Sequence, residues 1–104
     1  MKIVNLTPHC INYYIEDYIV KLPSKGIARI SAETVDVKSI NGYSLTRTVY
    51  GEVQDLPEPE EDTLFVVSAM VRIALPDRKD LVSPARLVRD EKGQIIGCES
   101  FDVN

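Results

Sequence analysis

Leu64-Phe65-Val66-Val67, opened by Thr63, is the most apolar run in the chain. A half-buried strand alternates apolar and polar side chains, because successive residues point to opposite faces. Thr63–Val67 is apolar on both faces and rich in β-branched residues. It therefore reads as a central strand covered on both sides. On its N-terminal side stands Leu56-Pro57-Glu58-Pro59-Glu60-Glu61-Asp62. Proline breaks a ladder and carboxylates demand water, so this seam lies outside the sheet. On the other side Ser68 is placed to cap a two-turn helix over Ala69–Leu75. Met70, Val71, Ala74 and Leu75 form its expected buried stripe, with Arg72 pointing to water. Pro76 ends that helix, and Pro76-Asp77-Arg78-Lys79-Asp80 follows as a charged loop. A buried strand thus delivers a basic turn to the exterior.

Outward from this run the chain alternates. Lys2–Leu6 reads as a strand interrupted by Thr7-Pro8. Cys10–Ile15 and Tyr18–Leu22 read as a hairpin about Glu16-Asp17. Pro23-Ser24-Lys25-Gly26 is a turn. Ile27–Ser31 and Val35–Val37 are short extended pieces. Asn41-Gly42 predicts a type I′ hairpin. It leads into Tyr43–Val53, where Leu45, Val49 and Val53 share one face with Arg47, and Thr46, Thr48 and Tyr50 share the other. Gly51 marks an expected bulge. Leu81-Val82 is a short extended piece before Ser83-Pro84. Leu87–Arg89 and Gln94–Cys98 form a hairpin over Asp90-Glu91-Lys92-Gly93, with Phe101 and Val103 carrying the strand onward. These elements predict a mostly β, α+β fold: a bent antiparallel sheet or small barrel-like sandwich with one short helix.

The chain of 104 residues is expected to form one domain, 1–104. Its 44% hydrophobic and 27% charged content argues against disorder. The net charge of −4 argues against general nucleic-acid binding. No apolar run approaches the ~20 residues that span a membrane, and Asn5 interrupts any leader-like apolar stretch. Cys10 and Cys98 read as thiols in a reducing cytoplasm. A zinc site takes about four ligands, and His9, Cys10 and Cys98 are too few. No metal or cofactor is expected.

His9 is the only histidine. It could contact a ligand or act as a base, but a loop role for it, with Thr7 serving the turn, is favoured. A His9–Cys10 catalytic pair is disfavoured because neighbours on a strand point apart. The cluster of Arg72, Asp77, Arg78, Lys79, Asp80, Arg86, Arg89 and Asp90 either fixes loops through Arg–Asp pairs or grips an anion such as a nucleotide. No Walker, GxGxxG or GxSxG motif supports the latter. Ser68 lacks the flanking glycines of a nucleophile elbow and reads as a cap. The carboxylates of Glu52, Asp55, Glu58, Glu60, Glu61 and Asp62 read first as a solvated linker and second as an electrostatic partner surface. Tyr13, Tyr14, Tyr18, Tyr43 and Tyr50 crowd the first half, and some must face outward, as tyrosines at interfaces do. A homodimer would account for them.

The opening Asn5-Leu6-Thr7-Pro8-His9 resembles the start of small uncharacterised proteins of bacterial and phage genomes. Tyr50-Gly51-Glu52-Val53, Leu56-Pro57, Val67-Ser68-Ala69 and the Arg89-Asp90…Gly93…Ile96-Gly97-Cys98 hairpin are similar in such proteins too. The resemblance implies a cytoplasmic accessory protein of phage or prophage origin. It carries over no catalytic residue.

The leading expectation is a cytoplasmic, non-enzymatic binding module that contacts a protein partner or a small anionic, nucleotide-like ligand. Its surface would combine Asn5, Thr7, His9, Arg47, Tyr50, Ser68, Arg72, Arg78 and Asp80, provided that the first strand lies beside Leu64–Val67. Arg78→Ala would then weaken binding with little loss of stability. The alternatives are a small hydrolase or transferase with His9 as base and Arg72 or Arg78 as anion clamp, and a host-interaction inhibitor that uses the acidic 52–62 stretch.

Overall fold

The computed structural model describes all residues, 1–104. In chain order the elements are β1 (Lys2–Asn5), β2 (Ile11–Ile15), β3 (Tyr18–Leu22), β4 (Arg29–Ile40), β5 (Tyr43–Gln54), β6 (Thr63–Val66), α1 (Ala69–Ala74), β7 (Leu81–Arg89) and β8 (Ile95–Val103). Six strands form one sheet in the order β1-β6-β7-β8-β2-β3, and β4 with β5 forms a separate two-stranded ribbon. The fold is mostly β with one short helix, as the alternation predicts.

The apolar run lies deep in the body. β6 sits between β1 and β7 and is parallel to both, which matches the rule that parallel strands are covered on both faces. Phe65, Val66 and Val67 are buried, and Val66 has no exposed surface. Phe65 and Val67 point to one face, where they pack with Leu6, Ala28, Val71 and Leu81. The ribbon base (Ile30 and Val53), Leu56 and Leu75 pack around that cluster. Val66 points to the opposite face.

The sheet is mixed rather than wholly antiparallel. The three hairpins β2–β3, β4–β5 and β7–β8 pair antiparallel, about the turns read from sequence. β1–β6, β6–β7 and β2–β8 pair parallel. Local sequence does not report these pairings, because each joins strands separated by long connections. The sheet also curls. Ile3 from one end strand and Val20 and Leu22 from the other line the same apolar hollow of about 250 Å³, together with Tyr13, Ile15 and Phe101. The rings of Tyr13 and Phe101 lie 4.9 Å apart. After β3 the chain returns to β1, where Ser24 bridges Asn5 and the Lys25 amide donates to the Asn5 carbonyl.

Two expected breaks are absent. Arg29–Ser31 of the first expected piece and Val35–Val37 belong to one twelve-residue strand, β4, while Ile27 and Ala28 precede it. β7 runs through Ser83-Pro84. β6 pairs with β7 only at Leu81 and Val82, so Pro84 lies where no strand on that side requires its missing N–H.

The helix departs from its predicted stripe. Ser68 caps it, its hydroxyl accepting from the Val71 amide. Val71 alone is buried, however, and Met70, Ile73 and Ala74 face outward. Arg72, expected in water, is half-buried and hydrogen-bonded. Six residues make too short a helix to turn a full stripe inward, and the ribbon base and Leu56 fill the space beside it.

The ribbon gives the molecule its shape. The radius of gyration is 16.7 Å, against about 13 Å for a compact chain of this length. The extents are 55 × 39 × 20 Å. Asn41 and Gly42 both take positive φ at the tip, 51° and 83°, as a type I′ turn requires. The register shifts once near the base, opposite Gly51, where the bulge was expected, and once between Asp36 and Lys38.

Candidate functional site

Asn5, Thr7 and His9 form one hydrogen-bonded knot. Asn5 is a buried polar residue at the end of β1, with 1% of its surface exposed. Its side-chain oxygen accepts from the Thr7 amide and the Thr7 hydroxyl, at 2.9 and 2.7 Å. Its side-chain NH2 donates to the carbonyls of His9 and Leu22, each at 2.8 Å. The Thr7 hydroxyl also sits 3.1 Å from the His9 carbonyl. Each polar atom of Asn5 is thus engaged with protein, as a buried amide demands. The motif works by closing the end of the curled sheet.

His9 lines the largest surface groove, about 520 Å³, with Cys10, Asn12, Leu87, Ile96 and Cys98. No carboxylate and no arginine lines this groove. Both thiols are free, Cys10 exposed and Cys98 buried. Burial pushes the Cys98 thiol pKa up, partly offset by a backbone hydrogen bond at Ser100. Gly97 lets β8 run close beneath Tyr14: a Cβ there would stand 2.4 Å from the Asn12 carbonyl oxygen and from the Tyr14 ring. No group of three His, Cys, Asp or Glu side chains stands together in a way that could hold a metal ion.

Arg72 and Arg78 are committed to the fold. Arg78 makes a two-pronged ion pair with Asp80, at 2.8 and 2.7 Å, and also donates to the Pro57 carbonyl. The hydrogen bonds from Arg78 hold the Asp80 carboxyl below its usual range, against the opposing effect of burial. The same bonds raise the Arg78 pKa, and Glu58 adds a weaker attraction. Arg72 donates to Ser83 Oγ, the Val103 carbonyl and Asn104 Oδ1. Asn104 in turn caps carbonyls of Arg72, Leu75 and Arg78. The loop-fixing role weighed for the charged segment is what these distances describe. The acidic seam is tied down at both ends, by Pro57 to Arg78 and by Asp62 to the N-terminal amine at 2.9 Å.

The nine candidate residues are dispersed. β1 does pair with β6, which sets Asn5 beside Val66. Yet no hollow on the surface is lined by more than one of the nine. His9 lines the large groove. Arg78 lines a cleft with Val53, Leu56 and Leu75. Tyr50 lines an apolar notch with Met70, Ile73 and Ala74. Ser68 serves the helix cap, Asp80 serves Arg78, and Arg47 stands on the ribbon opposite Val35.

The ribbon carries the feature that residue-by-residue reading missed. The cross-strand pairs Glu33–Val49, Val35–Arg47, Lys38–Leu45 and Ile40–Tyr43 share one face. The pairs Ala32–Tyr50, Thr34–Thr48, Asp36–Thr46 and Ser39–Ser44 share the other. One face therefore carries five apolar side chains interspersed with Glu33, Arg47 and Lys38, and the other is mostly hydroxyl-bearing. On the apolar face Val49, Leu45, Ile40 and Tyr43 are all exposed, Tyr43 by 73%. The alternation of Tyr43–Val53 signals the amphipathic pattern, but sequence does not say that nothing covers it. Comparisons with protein-family models, with curated proteins and with solved structures return no match.

Proposed function

We propose that this chain is a non-catalytic protein-binding module that engages its partner through the β4–β5 ribbon. The supporting observation is a ribbon face on which Val49, Leu45, Ile40 and Tyr43 stand exposed beside Glu33, Arg47 and Lys38 as the ribbon leaves the body. An isolated two-stranded ribbon is marginal in water. Exposed apolar side chains set among charged ones in this way mark an interaction surface. The resemblance of the opening motif favours a phage or prophage accessory protein, and two free thiols suit a reducing cytoplasm.

The test is coexpression of the full chain with proteins encoded beside it, read by size-exclusion chromatography with light scattering. The wild type should form a discrete assembly, with itself or with a neighbour. Leu45→Asp and Val49→Asp should abolish it while circular dichroism stays unchanged. A wild type that remains a lone monomer throughout, or variants that associate as before, would overturn the reading.

A small anionic ligand is the second reading, favoured by Arg72. All three of its hydrogen bonds go to neutral oxygens, and this half-buried cation makes no ion pair. A thermal-shift screen of phosphate and nucleotides tests it. A ligand at a hundred times its dissociation constant adds about 2.7 kcal/mol.

A further inference from the structure

Resting on the reading of the ribbon as a docking arm, we infer that its occupant is a second copy of this chain, packed face to face and antiparallel. The order of residues along the apolar face carries this. From base to tip the rows are Glu33–Val49, Val35–Arg47, Lys38–Leu45 and Ile40–Tyr43. A two-fold axis through the Val35–Arg47 row, running across the ribbon, lays β4 on the partner's β4 and β5 on the partner's β5. Val35 then meets the partner's Val35. Val49 meets the partner's Leu45, and Leu45 meets the partner's Val49. Glu33 falls opposite the partner's Lys38, and Lys38 opposite the partner's Glu33. In these three rows apolar meets apolar and acid meets base, twice over by symmetry, as an isologous contact requires, while the Ile40–Tyr43 row reaches past them over the partner's ribbon base.

Arg47 is the one residue opposed to its like. It sits at the axis, where its long stem lets the guanidinium reach water beside the stack. Glu33 and Lys38 lie only one row from the axis, so the natural twist of a ribbon displaces them little. Size sets the strength. Strands of this length extend about 40 Å, and a two-stranded face is about 10 Å wide, so the arms together cover on the order of 800 Å². That is below the range of stable interfaces and within that of weak, transient ones, so the dimer is reversible rather than obligate.

Sedimentation equilibrium of the full chain at low salt tests this directly. The wild type should dimerise, and raised salt should weaken it. E33K alone and K38E alone should each weaken the dimer roughly tenfold, since each sets like charges opposite one another at two places. An equimolar mixture of the two variants should associate again, because one chain then offers two bases and the other two acids. The doubly exchanged E33K/K38E chain should also recover. Both positions are exposed, so folding is unaffected, which circular dichroism verifies.

A dimer indifferent to both single variants, or a mixture that fails to associate, overturns the inference. A chain that never self-associates, yet binds another protein through Leu45 and Val49, overturns it too and leaves the docking-arm reading intact.

Discussion

The Asn5 side chain donates 2.8 Å to the carbonyl of Leu22, seventeen residues away, and so joins the end of β1 to the end of β3. These are the two outer strands of the six-stranded sheet. One buried amide therefore fastens the curl, and its oxygen simultaneously shapes the Thr7 turn.

Asn5→Ala should cost about 3 kcal/mol, since it strands two carbonyls and two Thr7 donors around a cavity. Asn5→Asp should be as damaging at neutral pH, because a carboxylate offers no donor to the His9 and Leu22 carbonyls. Urea denaturation measures both. Thr7→Ala, which loses only the hydroxyl bonds, should cost about 1 kcal/mol in the same experiment.

Gly97→Ala should destabilise by about 2–3 kcal/mol. Its methyl would meet a backbone oxygen as well as the Tyr14 ring, and the backbone belongs to the β2–β8 pairing. Gly51→Ala should cost less than Gly97→Ala, because its close neighbour is the hydroxyl of Ser31, which can rotate away. Thermal denaturation of the two variants ranks them, and the reverse order would contradict the packing.

Arg78→Ala should lower stability by about 1–3 kcal/mol, in contrast to the mild effect expected of a pure ligand contact. It leaves Asp80 without the guanidinium and frees the Pro57 carbonyl. The pH dependence follows from the lowered Asp80 pKa. The unfolded carboxyl titrates near ~3.9. The pair's contribution is present in full above that value and is lost as pH falls through the lower, folded one. Asp80→Asn should flatten this part of the acid limb of a stability–pH curve. An unchanged acid limb would count against the pair.

Cys10 should alkylate quickly with iodoacetamide at pH 8, and Cys98 only on unfolding. Cys98 is buried and its thiol pKa is raised, so little thiolate is present or reachable. Mass spectrometry with and without denaturant separates the two.

Much of the local structure is legible in the chain. Asn41-Gly42 and Asp90–Gly93 announce their hairpins, Ser68 its cap, and Thr63–Val67 its depth. The candidate site is far less legible. Asn5, Thr7, Arg72, Arg78 and Asp80 are residue types that serve either a ligand or a loop. Only hydrogen-bond partners distinguish the two uses, and here those partners are backbone groups, one another, and the side chains of Ser83 and Asn104.

Sequence by itself determined the turns, the amphipathic alternation and the one strand buried on both faces. These follow from backbone preferences and from side-chain period, which act over a few residues. Tertiary structure alone decided that β1, β6 and β7 run parallel, that the sheet curls far enough for Asn5 to reach Leu22, and that the ribbon projects with its apolar face bare. Those outcomes depend on which distant surfaces meet. A period of two marks a face as apolar, and says nothing of what covers it.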